Sequence, residues 1–272
     1  MWTDSLKQAE VELTSRAINA LQHIAWAAPL LNRLDKAGGI TTQNRPLLFE
    51  IRVAYEIHRA CRTATYEFTS ACDGSVDFRV HGSPEWLIEI VSIGESDAVK
   101  EATVKNDPIS QVLLKSISGD NKSSEEGELI LLQQKIGEKV FNAGKPVKFP
   151  TPEYKIHLIL ADVRGFNIGA SDRYDYDHAA QGAGVLPDPI YVRFWANEPI
   201  KGLFERSNPL RASKFIQERI HFLGFVKEKN YSEGEITRRT YLSPNPHLFA
   251  DRNEIARVYD TFPLKAPVSV SP

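Results

Sequence analysis

Apolar positions along this 272-residue chain change their period from stretch to stretch, and each period predicts an element. From about Asp4 to Lys36 the apolar residues Leu6, Leu13, Ala17, Ile18, Leu21, Ile24 and Ala25 recur at helical spacing. Pro29 breaks or kinks that run, and Gly38-Gly39 ends it. A second helix starts at Asn44-Arg-Pro46, with Asn44 as cap and Pro46 in the first turn, and extends to about Thr63. Its stripe is Phe49, Val53, Ile57 and Ala60. Glu50 lies beside that stripe, at the core edge, whereas Glu56 falls with Arg52 and Arg59 on the polar side.

The period then shortens to two. Tyr66-Glu-Phe-Thr69, Ser75-Val-Asp-Phe-Arg-Val80 and Trp86-Leu-Ile-Glu-Ile-Val-Ser92 predict a three-stranded meander, with His81-Gly-Ser-Pro-Glu85 as the second turn. Val76, Phe78 and Val80 share one face of the middle strand, and Asp77 and Arg79 take the other. In the third strand Trp86, Ile88 and Ile90 oppose Leu87, Glu89 and Val91. A polar insertion fills 94–127, interrupted by a short helix around Pro108–Ser116. Glu128–Asn142 reads as a helix striped by Leu129, Leu132, Ile136 and Val140. Tyr154–Asp162 is nearly all apolar, as in a strand buried on both faces, and the intervening helix predicts a parallel crossover. Residues 166–188 read as a polar loop in which Asp172, Asp175, Asp177 and His178 form no compact metal-ligand pattern. Later strands are expected at Ile190–Trp195, His221–Tyr231 and Glu235–Tyr241.

A hairpin centred on Ser83 sets Asp77 across from Glu89. Directly opposed residues have Cβ atoms about 5 Å apart. Two carboxylates at that separation repel by roughly 3 kcal/mol at an effective dielectric of about 20. A compensating cation is therefore expected. Mg²⁺ fits an oxygen-only pair, and Arg79, on the same face, offers an ordinary cross-strand ion pair instead.

Helix with Glu50, strand, strand with Asp77, strand with Glu89, helix, strand: over residues 44–165 this order resembles the core of the PD-(D/E)XK, or restriction-endonuclease-like, nuclease superfamily. The resemblance implies an α/β fold with a restriction-endonuclease-like core, extra C-terminal strands and an N-terminal helical extension over 1–40, the nuclease-like domain being 44–272. It implies Asp77 and Glu89 as the motif acids holding Mg²⁺ (with Mn²⁺ able to substitute), the Ile90 carbonyl as a further ligand, and Glu50 near the metal. The family's lysine two residues beyond the second acid is Val91 here. The expected substitute is Lys135 in the following helix, ahead of Lys139 and then Arg79. Gln133 or Gln134 would hold the scissile phosphate, and Lys139 and Arg79 would add to nucleic-acid binding, with Lys100, Lys105, Lys115, Lys122, Lys145 and Lys148 as further basic positions. The implied substrate is nucleic acid, DNA before RNA. Val91 also fits a second reading, a nuclease-fold module that binds nucleic acid or protein without cutting. A retaining glycosidase also uses carboxylates about 5 Å apart, but no aromatic-rich cleft accompanies these acids, and Trp86 projects to the other face.

Composition adds limits. The chain is 42% hydrophobic and 25% charged with a formal charge of −2, which suits a globular protein and argues against a basic coat protein without excluding a nuclease. Two cysteines, Cys61 and Cys72, predict reduced thiols in a cytoplasmic protein. No basic-then-apolar leader opens the sequence, and no apolar run is long enough to span a membrane. A homodimer through the first helix is a further possibility on symmetry grounds.

Overall fold

Two strands buried along almost their whole length occupy the middle of the sheet, because only a central position buries both of their faces. In the computed structural model, which describes residues 5–106, 109–112, 125–166, 173–182 and 200–265, these are β3 (Glu85–Ser92) and β6 (Lys155–Asp162), paired in parallel from Glu85↔Lys155 to Ser92↔Asp162. On one side β1 (Ala64–Thr69) and β2 (Ser75–Val80) complete an antiparallel meander with β3. On the other, β7 (Phe222–Val226) runs parallel to β6, and β8 (Thr240–Pro244) closes the edge antiparallel, giving the order β1-β2-β3-β6-β7-β8. The protein is thus mixed α/β with one mixed six-stranded sheet.

Two apolar layers cover the sheet. Helix α3 (Arg45–Arg59) lies on the first, where Phe49, Val53 and Ile57 meet Phe78, Ile88, Ile90 and Leu158. Helices α1 (Gln8–Leu21) and α2 (Ala28–Lys36) join the same cluster through Ala17, Leu21, Leu30 and Leu34. The apolar stripe of α1 is therefore buried within the chain, against α3. The break between them falls at Gln22–Ile24 and a short 3₁₀ turn, Ala25–Ala27, with Pro29 inside the first turn of α2, where a missing N–H is harmless. The second layer holds α5 (Glu125–Val140), with Leu129, Leu132, Ile136 and Val140 over Leu87, Val91 and Ile159. Between β3 and α5, α4 (Asp97–Ala102) precedes an antiparallel pair, β4 (Thr103–Asn106) and β5 (Ile109–Val112). That pair replaces the short helix expected there, of which Pro108 and 113–116 lie outside the described residues.

Other sequence expectations change for identifiable reasons. Residues 173–181 of the polar stretch form α6, because Tyr176, Ala179 and Ala180 make a helical stripe against Phe225 and Phe204. Asp177 there accepts hydrogen bonds from Tyr241 and Ser243, and Asp172 lies outside the described residues. After α7 (Arg211–Arg219), the strand expected at Glu235–Tyr241 is instead α8 (Glu235–Arg239) followed by β8. The Glu235 carboxylate accepts from the N–H groups of Lys229, Asn230 and Ser232, which locks a turn at its own position. Helix α9 (Arg252–Asp260) and Phe262 finish the first layer. The strand expected at Ile190–Trp195 lies outside the described residues, and among the described residues no helix is long and apolar enough to cross a membrane.

The supposed polar side of α3 is also buried. Arg52 is 1% exposed and Glu56 5%. Glu56 accepts from the N–H of Gly234, and Arg52 enters an ionic network with Glu10, Glu228, Asp162 and Arg164. The helix reads as amphipathic only if its outer face meets water. Here α1 and the 228–235 turn cover that face, and charged residues buried there are all partnered.

Candidate functional site

The meander opens along one row. The β1–β2 ladder pairs Tyr66 with Phe78 and Phe68 with Val76, skipping Glu67 and Asp77. The β2–β3 ladder stops at Phe78↔Ile88, one pair short of Asp77–Glu89. Glu67 has a left-handed backbone, φ 51°, which throws the edge strand out of the regular pleat. The Ile90 N–H, in the stretch where β2 and β3 no longer pair, donates instead to Asp77 Oδ2 at 2.6 Å. The same distortion moves Val76 into the α5 layer, so it does not share a face with Phe78 and Val80 as strict alternation predicts.

Three helices and a loop bring cations and a third carboxyl to this row. Glu50, in the first half of α3, accepts from the Tyr66 hydroxyl at 2.8 Å. Arg33 of α2 donates to that hydroxyl at 2.6 Å and stands 3.4 Å from Glu50 and 3.6 Å from Glu67. On the opposite flank Lys148 Nζ donates to Glu89 Oε1 at 2.6 Å, and Lys139 Nζ of α5 lies 3.2 Å from the same oxygen. Lys148 is held there by its loop. Gly74 packs so tightly on Val147 and Lys148 that a Cβ would sit 2.6 Å from the Lys148 Cα, and the Phe149 carbonyl accepts from Arg219.

Burial dominates the electrostatics. Glu89 is fully buried, and its carboxyl is pushed up to about 7 by burial and then by Asp77. Glu50 is raised to about 7 for the same two reasons, in the same order. Burial also raises Asp77, against the opposing pull of the Ile90 N–H, Lys139, Lys148 and Arg33. Glu89 Oε2 is buried with no hydrogen-bond partner. An unpaired buried carboxylate oxygen carries a desolvation cost that a bound cation would remove.

The residues expected from sequence separate into two groups. Glu50, Asp77 and Glu89 come together, with the Ile90 backbone beside them through its N–H. Lys139 also reaches the acids, but Lys135 does not: it is exposed and pairs with Glu138. The reason is position along the helix. The two lysines are four residues apart and share a face, but Lys139, about 6 Å further along the axis, sits where α5 passes Glu89, and Lys135 meets solvent. Gln133 is buried and donates to the carbonyls of Ala179 and Lys201, and Gln134 is exposed. Arg79 pairs with Glu85 at 2.6 Å and stacks over Phe68, so it does not neutralise the acid pair. Val91 is 3% exposed beneath α5, where a lysine ammonium would be buried in the apolar layer. Lys100 pairs with Asp97, and Lys115 and Lys122 lie outside the described residues. Lys148, expected only as one of several basic positions, reaches Glu89, and Arg33 and Tyr66 complete the site without a sequence signal of their own, since neither belongs to a motif at short range.

No family model, curated protein or solved structure matches this chain. The chemistry of the site therefore rests on its own residues. Among the described residues no group of three or more His, Cys, Asp or Glu side chains is arranged to hold a metal ion. A two-carboxylate site suits Mg²⁺, which keeps several waters and takes one or two protein carboxylates. The orphaned Glu89 Oε2 beside Asp77 is compatible with such an ion.

The raised carboxyls give a pH signature. Between their ordinary value of 4.5 and about 7, Glu50 and Glu89 hold protons in the folded state that the unfolded chain has released. The stability this confers is full below about 4.5 and is lost as pH rises through about 7. Metal-free protein should therefore lose on the order of a few kcal/mol through these groups between about pH 5 and about pH 8. Thermal melts in EDTA measure it, and Glu89→Gln should flatten the profile. An unchanged profile in that variant would mean that Glu89 titrates normally. Mg²⁺ should raise Tm at the upper end of this range and not at the lower end, where protons compete with it.

Proposed function

We propose that this chain hydrolyses phosphodiester bonds in nucleic acid, DNA ahead of RNA, on a PD-(D/E)XK-type core with Mg²⁺ held by Asp77 and Glu89. The observation that carries this reading is the opened row of the meander. It gathers Asp77, Glu89 and Glu50 at the strand centre, with Lys139 and Lys148 on Glu89. Helix, antiparallel meander, helix and parallel strand follow in the order that the resemblance implies. Mg²⁺ held by Asp77 and Glu89 would polarise a phosphoryl oxygen and lower the pKa of water in its shell.

The chain's own groups have separable tasks. Asp77 is oriented by the Ile90 N–H, and Glu89 by Lys148. With its pKa raised to about 7, Glu50 can take or hold a proton near neutrality. Lys148 and Lys139 are placed to hydrogen-bond a phosphoryl oxygen brought to Glu89 and to offset the charge that develops on it. Lys148→Ala and Lys139→Ala should each lower the cleavage rate by about a hundredfold, and Lys135→Ala by less than about threefold. A larger effect at Lys135 than at Lys148 would move the lysine role back along α5.

One observation favours the second reading, a non-cutting binding module: two lysines already compensate Glu89 within the chain. Mg²⁺- and Mn²⁺-dependent cleavage of single- and double-stranded DNA and RNA, run beside calorimetric metal titration, separates the two. Cutting that Asp77→Asn abolishes supports the nuclease. Binding of nucleic acid by folded protein with neither cutting nor metal uptake supports the module.

A further inference from the structure

Arg33 belongs to the N-terminal helical extension, a region whose sequence suggests packing or dimerisation. Yet α2 delivers its guanidinium to the acid row, on the flank away from Lys139 and Lys148. Its hydrogen bonds converge on one nitrogen. Nη1 donates to Tyr66 at 2.6 Å and to Glu50 at 3.4 Å, and it lies 3.6 Å from Glu67. Among the described residues Nε and Nη2 donate no hydrogen bond, and the side chain is half exposed. A guanidinium anchored through one nitrogen keeps its Nε–Nη2 edge as a fixed two-donor fork, the geometry that pairs with two oxygens of a phosphate. The anchor also lowers the entropy lost on binding, because the long side chain is already held.

Resting on the nuclease reading above, we propose that Arg33 binds a backbone phosphate of DNA next to the one being cut, through its Nε–Nη2 edge, so that the N-terminal extension forms one wall of the substrate channel. The acids then lie between two cationic borders, Arg33 on the β1 side and Lys139 with Lys148 on the α5 side. Tyr66 is a positioning residue here: its hydroxyl bridges Arg33 and Glu50 and sets the fork relative to the acids.

Binding of a short fluorescein-labelled DNA duplex, measured by anisotropy in EDTA across a salt series, tests this without any cleavage. Each phosphate contact contributes about 0.9 to the slope of log K against log salt. Arg33→Met should lower that slope by about one and weaken binding at low salt by roughly tenfold. Arg33→Lys should keep the slope but lose part of the affinity, because a point charge replaces the fork. Arg16→Met, which removes a charge paired with Glu233, should change neither. Wild-type protein that binds the duplex with a slope unaltered in Arg33→Met would overturn the assignment and leave the nuclease reading intact. Wild-type protein that does not bind DNA would overturn both. Should Arg33→Met melt early, Arg33→Lys decides: unchanged slope with reduced affinity supports the fork, and unchanged affinity removes it.

Discussion

Asp77→Asn protein should fold normally, bind DNA and cut it at least about a thousandfold more slowly than wild type, a loss of roughly 4 kcal/mol in transition-state stabilisation. Asparagine is the informative substitution. Its amide oxygen can still accept the Ile90 N–H that Asp77 holds at 2.6 Å, whereas alanine would leave that donor unpaired beside the opened ladder. Asparagine also removes the negative charge that raises Glu89 and Glu50, so both carboxyls should titrate closer to their ordinary range. The variant is thus expected to be at least as stable as wild type near pH 8 while being inactive. Glu89→Gln should be similarly inactive. Cleavage by highly purified Asp77→Asn at the wild-type rate would remove the proposed function.

The second large effect is on stability and lies away from the acid row. Arg164 donates to Asp162 at 2.6 Å and to Glu10 at 2.7 Å, and Arg52 donates to Glu228 at 2.9 Å and stands 3.4 Å from Glu10. All five side chains are at most 2% exposed. Removing one member strands its partners in low dielectric, which costs about 3–5 kcal/mol. Arg164→Met should therefore lower Tm on the order of 10 °C and reduce the urea midpoint. The damage should be greatest where Glu10 ties α1 to α3 and the end of β6. A loss below about 1 kcal/mol would mean that water or other cations replace Arg164. Because α1 leads into α2, loosening this clamp should also weaken the placement of Arg33. The salt slope for DNA binding is then expected to fall in Arg164→Met as well as in Arg33→Met.

Periodicity alone was enough to read the meander, the crossover helix, the buried strand β6 and the face of β3 that carries Glu89, since strand alternation and helix stripes are local properties of the chain. Even the near-neighbour pairing of the two acids follows from turn length. The same local rules misplace what depends on distant partners. Arg52 and Glu56 look solvent-facing until α1 and the 228–235 turn cover them. Residues 173–181 look like a polar loop until Phe225 and Phe204 give Tyr176, Ala179 and Ala180 a surface to bury. Lys135 and Lys139 are alike in sequence, and only the angle at which α5 crosses β3 sets Lys139 on Glu89 and Lys135 in solvent.

The sequence by itself determined the first helices, the meander, the crossover helix, β6 and the hairpin register that brings Asp77 level with Glu89, because these follow from side-chain period and turn length within a short stretch of chain. Only the tertiary structure decided which cations meet those acids. Arg33, Lys139 and Lys148 arrive from α2, α5 and a loop that closes on Gly74. Their meeting depends on how separate elements pack, and no local pattern encodes it.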